Sequence, residues 1–186
     1  MNEPIDIRWE WLRNKPWKCV TCGQQHRGFF DLGCVSPHVW PDSENPLPNS
    51  AVIDSSHCLT EDFCILEGQH YFIRCVLRLP LLGDRRGEHF SFGVWSTLSQ
   101  KNFEIYLETF DSGEQWDIGP WFGWFSNRIE GYPDTVNLKC QVHPRGGRQR
   151  PWIELEDSGH PLAAESQHGI TYERLLEIYA AHGHAP

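Results

Sequence analysis

One short turn constrains this chain more than any other feature: Cys19-Val20-Thr21-Cys22-Gly23, followed by His26. Two thiols two residues apart in a tight turn point their sulfurs at a common centre. Gly23 can take a positive φ, so the backbone after Cys22 can curl and aim N–H groups at the sulfurs. His26 stands close enough to supply a third ligand. Thiolate and imidazole in tetrahedral array are the donors that zinc prefers, so the turn is expected to be a structural zinc knuckle. A fourth ligand must come from elsewhere, and Cys34, His57, Cys58 and Cys64 are the candidates. Cys64, in Asp62-Phe63-Cys64-Ile65, is the expected one, because it opens the patterned part of the chain and would clip the knuckle to the sheet. Cys34 is the local alternative.

Two other readings compete. A redox Cys-x-x-Cys needs a helix N-terminus after the second thiol, and Gly23-Gln24-Gln25-His26 is a poor helix start. Alternatively the thiols are free. A catalytic zinc would keep one position open and need a general base nearby. The chain has neither His-Glu-x-x-His nor the His-x-Glu with Pro-Cys-x-x-Cys of zinc deaminases. Seven cysteines, scattered through apolar patterns such as Phe72-Ile73-Arg74-Cys75-Val76, do not suggest a disulfide framework.

The 186 residues suit one domain. Sixteen Lys and Arg against 25 Asp and Glu leave a net charge of -9, which argues against nucleic acid as a partner. No apolar run reaches membrane-span length. Acids stand near Met1 where a secretory signal carries bases, so a cytoplasmic protein is expected. Nine Trp, ten Phe and five Tyr against a single Met predict a core of large, rigid side chains.

Periodicity sets out the body. Residues 1–18 read as an extension, in which 5–13 fit either a helix or a strand. Residues 19–34 hold the knuckle. Residues 35–61 form a long loop, rich in Pro, Ser, Asp and Asn, that wraps the surface or covers a site. Residues 62–182 form the folded body. Tyr71, Ile73, Cys75, Leu77 and Leu79 share one strand face, and Phe90, Phe92 and Val94 belong to a second strand paired with it as a hairpin. Ser99 caps a helix over 100–111 with the stripe Phe103, Tyr106, Leu107 and Phe110. Val136, Leu138, Cys140 and Val142 alternate as a strand, and 152–156 returns beside it. Thr171 caps a last helix to about 182, with Ile170 and Leu175 as its staple. The expected fold is α+β: an antiparallel sheet of two hairpins, helices on one face, and the N-terminal Cys/His knuckle.

Several stretches together resemble the bacterial domain-of-unknown-function family 2199. They are Cys19 to His26, Asp62 to Ile65 with Tyr71 to Arg74, Gly93 to Ser99, Phe122 to Asn127 with Tyr132 to Thr135, and His160 to Ala163 with Gly169-Ile170. The resemblance spans most of residues 19–182. It implies a small bacterial protein, favours Cys64 over Cys34 as the partner of the knuckle, and brings no catalytic assignment.

Two surfaces are candidates for a ligand or partner. One is the aromatic, glycine-rich stretch 119–133, with Trp121, Trp124, Asn127 and Tyr132; its competing reading is a plug in the core. The other is the polar face of the second strand, where Trp95 would floor a groove if nothing covers it. Arg145, Arg148 and Arg150 at one turn, like Arg85 and Arg86 at another, either grip an anion or keep the turns soluble. His160, His168, His182 and His184 show no ligand spacing; those near a helix end read as favourable charges there. No nucleophile elbow, phosphate loop or dinucleotide fingerprint occurs. The leading expectation is therefore a non-enzymatic, zinc-stabilised domain that binds another protein. The alternative is a metal-dependent hydrolase using Cys19, Cys22 and His26 with an open fourth position.

Overall fold

The computed structural model describes residues 4–41, 45–52, 55–115 and 118–185. In chain order the elements are α1 (Arg8–Asn14), β1 (Pro16–Lys18), β2 (Gln25–Arg27), β3 (Leu32–Gly33), a 3-10 turn (Asn49–Val52), β4 (Cys58–Leu59), β5 (Phe63–Leu66), β6 (His70–Pro80), β7 (His89–Leu98), α2 (Gln100–Phe110), β8 (Trp121–Trp124), β9 (Lys139–His143), β10 (Trp152–Leu155), α3 (Pro161–His168) and α4 (Tyr172–Ala181). The fold is α+β.

The β6–β7 hairpin is the backbone of the sheet, paired from Tyr71↔Leu98 to Pro80↔His89. Its alternation matches the sequence pattern: Ile73, Cys75, Leu77 and Leu79 face the same core as Phe90, Phe92 and Val94. The helices bury their apolar residues in that core. Phe103 and Tyr106 come from α2, Leu162 and Ala163 from α3, and Leu175, Ile178 and Tyr179 from α4. Ser99 and Thr171 cap α2 and α4 through their side chains, as expected. Residues 8–14 resolve as helix, because Trp9 and Leu12 lie three apart and both bury fully in the same core. The Trp9 indole N–H donates to the Leu82 carbonyl at 2.9 Å.

The sheet differs from expectation in being mixed. The two hairpins are antiparallel internally, but β10 lies parallel to β6, and β3 lies parallel to β7. The strand order is β3-β7-β6-β10-β9-β8, with β5 also on β6 and β4 on β5. Beyond β8 the chain turns back onto β7. Phe125 bridges Ser96, Ser126 N–H donates to the Trp95 carbonyl at 2.9 Å, and Trp124 N–H donates to Thr97 Oγ1 at 2.9 Å. Strands β7, β6, β10, β9 and β8 thus close on themselves, which removes an exposed edge. The closure depends on Gly123. A Cβ there would lie 2.3 Å from Ser96 Oγ and 2.6 Å from the Thr97 carbonyl oxygen.

Other boundaries moved for local reasons. The expected strand from 136 begins only at Lys139, because Asn137 takes φ +65° while its N–H donates to the Phe125 carbonyl. Helix α3 buries little beyond Leu162 and Ala163, so it shows almost no apolar stripe. It is defined by its ends: His160 Nδ1 accepts from Leu162 N–H, Pro161 begins the helix, and Gly169 ends it at φ +90°.

The outer face of the sheet carries a second, smaller core of Trp40, Leu59, Cys64, Phe72 and Trp95. Trp40 and Leu59, both from the stretch 35–61, are its contribution from outside the long strands and β5. Gly123→Ala is expected to lower stability by about 2–3 kcal/mol, since the backbone at Thr97 cannot yield. Urea denaturation measures this; an unchanged midpoint would mean that the β7–β8 contact opens freely.

Candidate metal centre

The short β1–β2 hairpin builds the knuckle. Its register places Trp17 opposite His26. Across the turn, Cys19 N–H donates to the Gln24 carbonyl and Gly23 N–H to the Cys19 carbonyl, each at 2.9 Å. Gly23 takes φ +71°, the conformation for which a glycine is needed there. Cys22 N–H points at Cys19 Sγ at 3.4 Å, and Cys22 Sγ lies 3.3 Å from His26 Nε2.

The fourth member of the group is His184. Helix α4 ends at Ala181, His182 caps it, and Gly183 follows at φ +75°. Gly183 N–H donates to the Ala180 carbonyl, and His184 N–H reaches back to Tyr179 at 2.8 Å. This double closure is the Schellman arrangement, which reverses the chain at a glycine. It returns the tail to the knuckle, where Val20 N–H donates to the Ala185 carbonyl at 3.0 Å and Ala185 N–H to Cys19 Sγ at 3.3 Å. The donor atoms of Cys19, Cys22, His26 and His184 all lie within 4.8 Å of one another. Tetrahedral zinc at its usual bond lengths sets ligand atoms about 3.3–3.8 Å apart, so a small contraction closes the shell.

Three observations fit these residues to a metal. His184 Nδ1 is buried and has no hydrogen-bond partner among the described residues. Around Cys19, burial opposes the thiolate charge, but N–H groups of Cys22, Ala185 and Thr21 favour it and bring the pKa down to about 5. The imidazoles are also fixed in orientation. His26 stacks on Phe30 with centroids 4.8 Å apart, and Phe30 stacks on Tyr179 at 4.8 Å. His184 meets Phe30 edge-on at 5.1 Å. The Tyr179 hydroxyl accepts from Phe30 N–H and donates to the Phe30 carbonyl, both at 2.8 Å.

Cys64 does not join this group. It sits on β5 opposite Leu59 and Phe72, in the outer-face core, whereas Cys19 packs in the core that contains α4. Burial pushes the Cys64 thiol up to about 12, helped by nearby Cys58, and pushes Cys34 up to about 11. Both are poor thiolates. Cys58 donates to the Ala51 carbonyl, and His57 stacks on Trp40. His184, read from sequence as a helix-end charge, is the member of the group that spacing could not find. Its signal is the glycine just before it, which turns the end of a predicted helix back on itself.

The proposed aromatic surfaces divide. Trp95 is fully buried, with its indole N–H donating to the Cys34 carbonyl. Asn127 is buried beside it, accepting from Trp95 N–H at 2.6 Å and donating to the Ser36 carbonyl at 2.8 Å. Trp121 is half-buried, edge-on to Tyr106. The Tyr132 hydroxyl donates to Glu165, and the Arg174 guanidinium covers its ring at 4.7 Å. These residues hold structure. Only Trp124, 39% exposed, remains open, together with Phe122, 45% exposed and edge-on to it at 5.1 Å. Trp124 borders an apolar groove of about 320 Å³ with Val39, Leu66, Phe72 and Val136.

Residues 18–170 match the family model described as "Uncharacterized protein conserved in bacteria (DUF2199)". The match takes in three members of the Cys/His group and ends before His184. No curated protein and no solved structure matches the chain. Among the described residues, no helix is long and apolar enough to cross a membrane.

His184→Ala and Cys19→Ser are each expected to lose most bound metal, while Cys64→Ser keeps the wild-type metal content. Elemental analysis of the purified proteins decides this, and loss of metal from Cys64→Ser would restore the sequence-based assignment.

Proposed function

We propose, from the premise that the chain belongs to the DUF2199 family of uncharacterised bacterial proteins, that it is a zinc-stabilised protein-binding domain. The observation that carries this reading is the completeness of the ligand set. Two Cys and two His supply four protein donors, and among the described residues no carboxylate belongs to the group. A zinc ion with four protein ligands has no free position for water or substrate, which is the mark of a structural site. Here it ties the N-terminal hairpin to the tail of α4. The Phe122–Trp124 pair and the adjoining groove supply an apolar surface for a segment of another protein. The hydrolase reading loses support with His184 in the fourth position.

Two experiments test this. A strong chelator is expected to lower the thermal midpoint and to abolish the near-ultraviolet signal of the Trp17–Tyr179 cluster; zinc restores both. At free zinc about 100 times its dissociation constant, the linkage is worth about 2.7 kcal/mol. The double variant Phe122→Ser/Trp124→Ser is expected to keep its zinc and melting point while losing a protein that co-purifies with the wild type. An identical set of co-purifying proteins in both forms, or zinc-dependent hydrolysis that survives intact ligation, would overturn the proposal.

A further inference from the structure

A second cluster of side chains lies on the outer face of the sheet, the face turned away from the core that contains Tyr179. Four neighbouring strands, β7, β6, β10 and β9, present His89, Arg78, Trp152 and His143 on one face of the sheet. They line a cleft of about 520 Å³, rimmed by Gln167 at the end of α3. That volume is within the range of small-molecule pockets. Four strands span roughly 14 Å, so the cleft suits an organic molecule better than a bare ion.

Arg78 is its centre. Its guanidinium lies 3.8 Å from the Trp152 ring centroid. Among the described residues Arg78 makes no ion pair, and none of its guanidinium N–H groups has a hydrogen-bond partner. Contact with the indole fixes the plane of the fork and leaves its N–H edges free, which lowers the ordering cost of gripping an oxyanion. A second guanidinium, from Arg145, stands 5.6 Å from the same ring. The Nε2 of His143 is buried and has no hydrogen-bond partner among the described residues, although a Glu154 carboxylate oxygen lies 3.5 Å away. Glu154 is largely exposed, so solvent screens its charge. Burial, and the charge of Arg78, hold the His89 pKa below its ordinary value. On a chain of net charge -9, this cleft concentrates uncompensated positive charge.

We propose that the Arg78 cleft binds a small organic phosphate, with the phosphate against the Arg78 fork and the organic body extending across the β10 and β9 side towards His143 and Gln167. Two nearby guanidinium groups and one exposed carboxylate favour a dianion over a monoanionic carboxylate.

Calorimetric titration of the full chain at low salt tests this, with phenyl phosphate as probe and phenol and benzoate as controls. The expected result is one saturable site for phenyl phosphate with a dissociation constant below about 1 mM, and no detectable site for phenol. Arg78→Gln is expected to weaken binding roughly tenfold or more, with Arg78→Lys intermediate because a point charge lacks the fork. Arg86→Gln, which removes an exposed guanidinium paired with Glu10, is expected to leave binding unchanged. If Arg78→Gln fails to fold by circular dichroism, His143→Gln takes its place, with an expected loss of about threefold. Absence of saturable binding, equal affinity for benzoate, or equal losses in the Arg78 and Arg86 variants would each overturn the proposal.

Discussion

The ladder between β6 and β7 is the constraint on which the remaining architecture hangs. One face of it, from Ile73 to Leu79 and Phe90 to Val94, gathers α1, α2, α3 and α4 into one core. The other face carries Phe72 and Trp95, which the long loop seals with Trp40. The far end of β7 receives Phe125 and so closes the ring of strands. The near end of the same hairpin places Arg78 beside Trp152 and His89 across from Pro80. A single run of alternating residues therefore decides where the helices sit, where the loop lies and where charge collects.

The Cys/His group inherits its geometry from that core by way of α4. Tyr179 is fully buried, touches Phe90 edge-on at 5.9 Å, and holds Phe30 through both of its hydroxyl bonds. Phe30 in turn supports His26 and His184. The two imidazoles are thus oriented by packing alone, as a preformed ligand shell would need.

Much of this was legible in the sequence, and the rest was hidden for identifiable reasons. Strands with clean alternation, such as Tyr71 to Leu79, and helices with a polar cap and an apolar stripe, such as the one after Ser99, announced themselves. So did the turn at Cys19–Gly23. Parallel pairing of β10 with β6 could not be read, because pairing partners distant in sequence leave no periodic trace. Helix α3 escaped because its ends, not its stripe, define it. Cys64 was attractive as a ligand for its position near the patterned region, but which side of a strand a thiol faces is settled by neighbours. Phe72 and Trp95 claimed that thiol for an apolar cluster. Trp95 and Asn127 fit a binding surface by composition; Trp40 and Ser36 from the loop turned that surface into an interior.

The turn at Gly183 has a temporal side. Cys19, Cys22 and His26 leave the synthesising ribosome long before His184 does, and His184 reaches them only after α4 has docked and its glycine has reversed the chain. An ion held by three ligands during synthesis would gain its fourth only once that later segment has emerged and turned back. Tight retention of metal would then report that the sheet, the helices and the tail have all arrived, and a chain stalled short of that point would be marked by a loosely held ion.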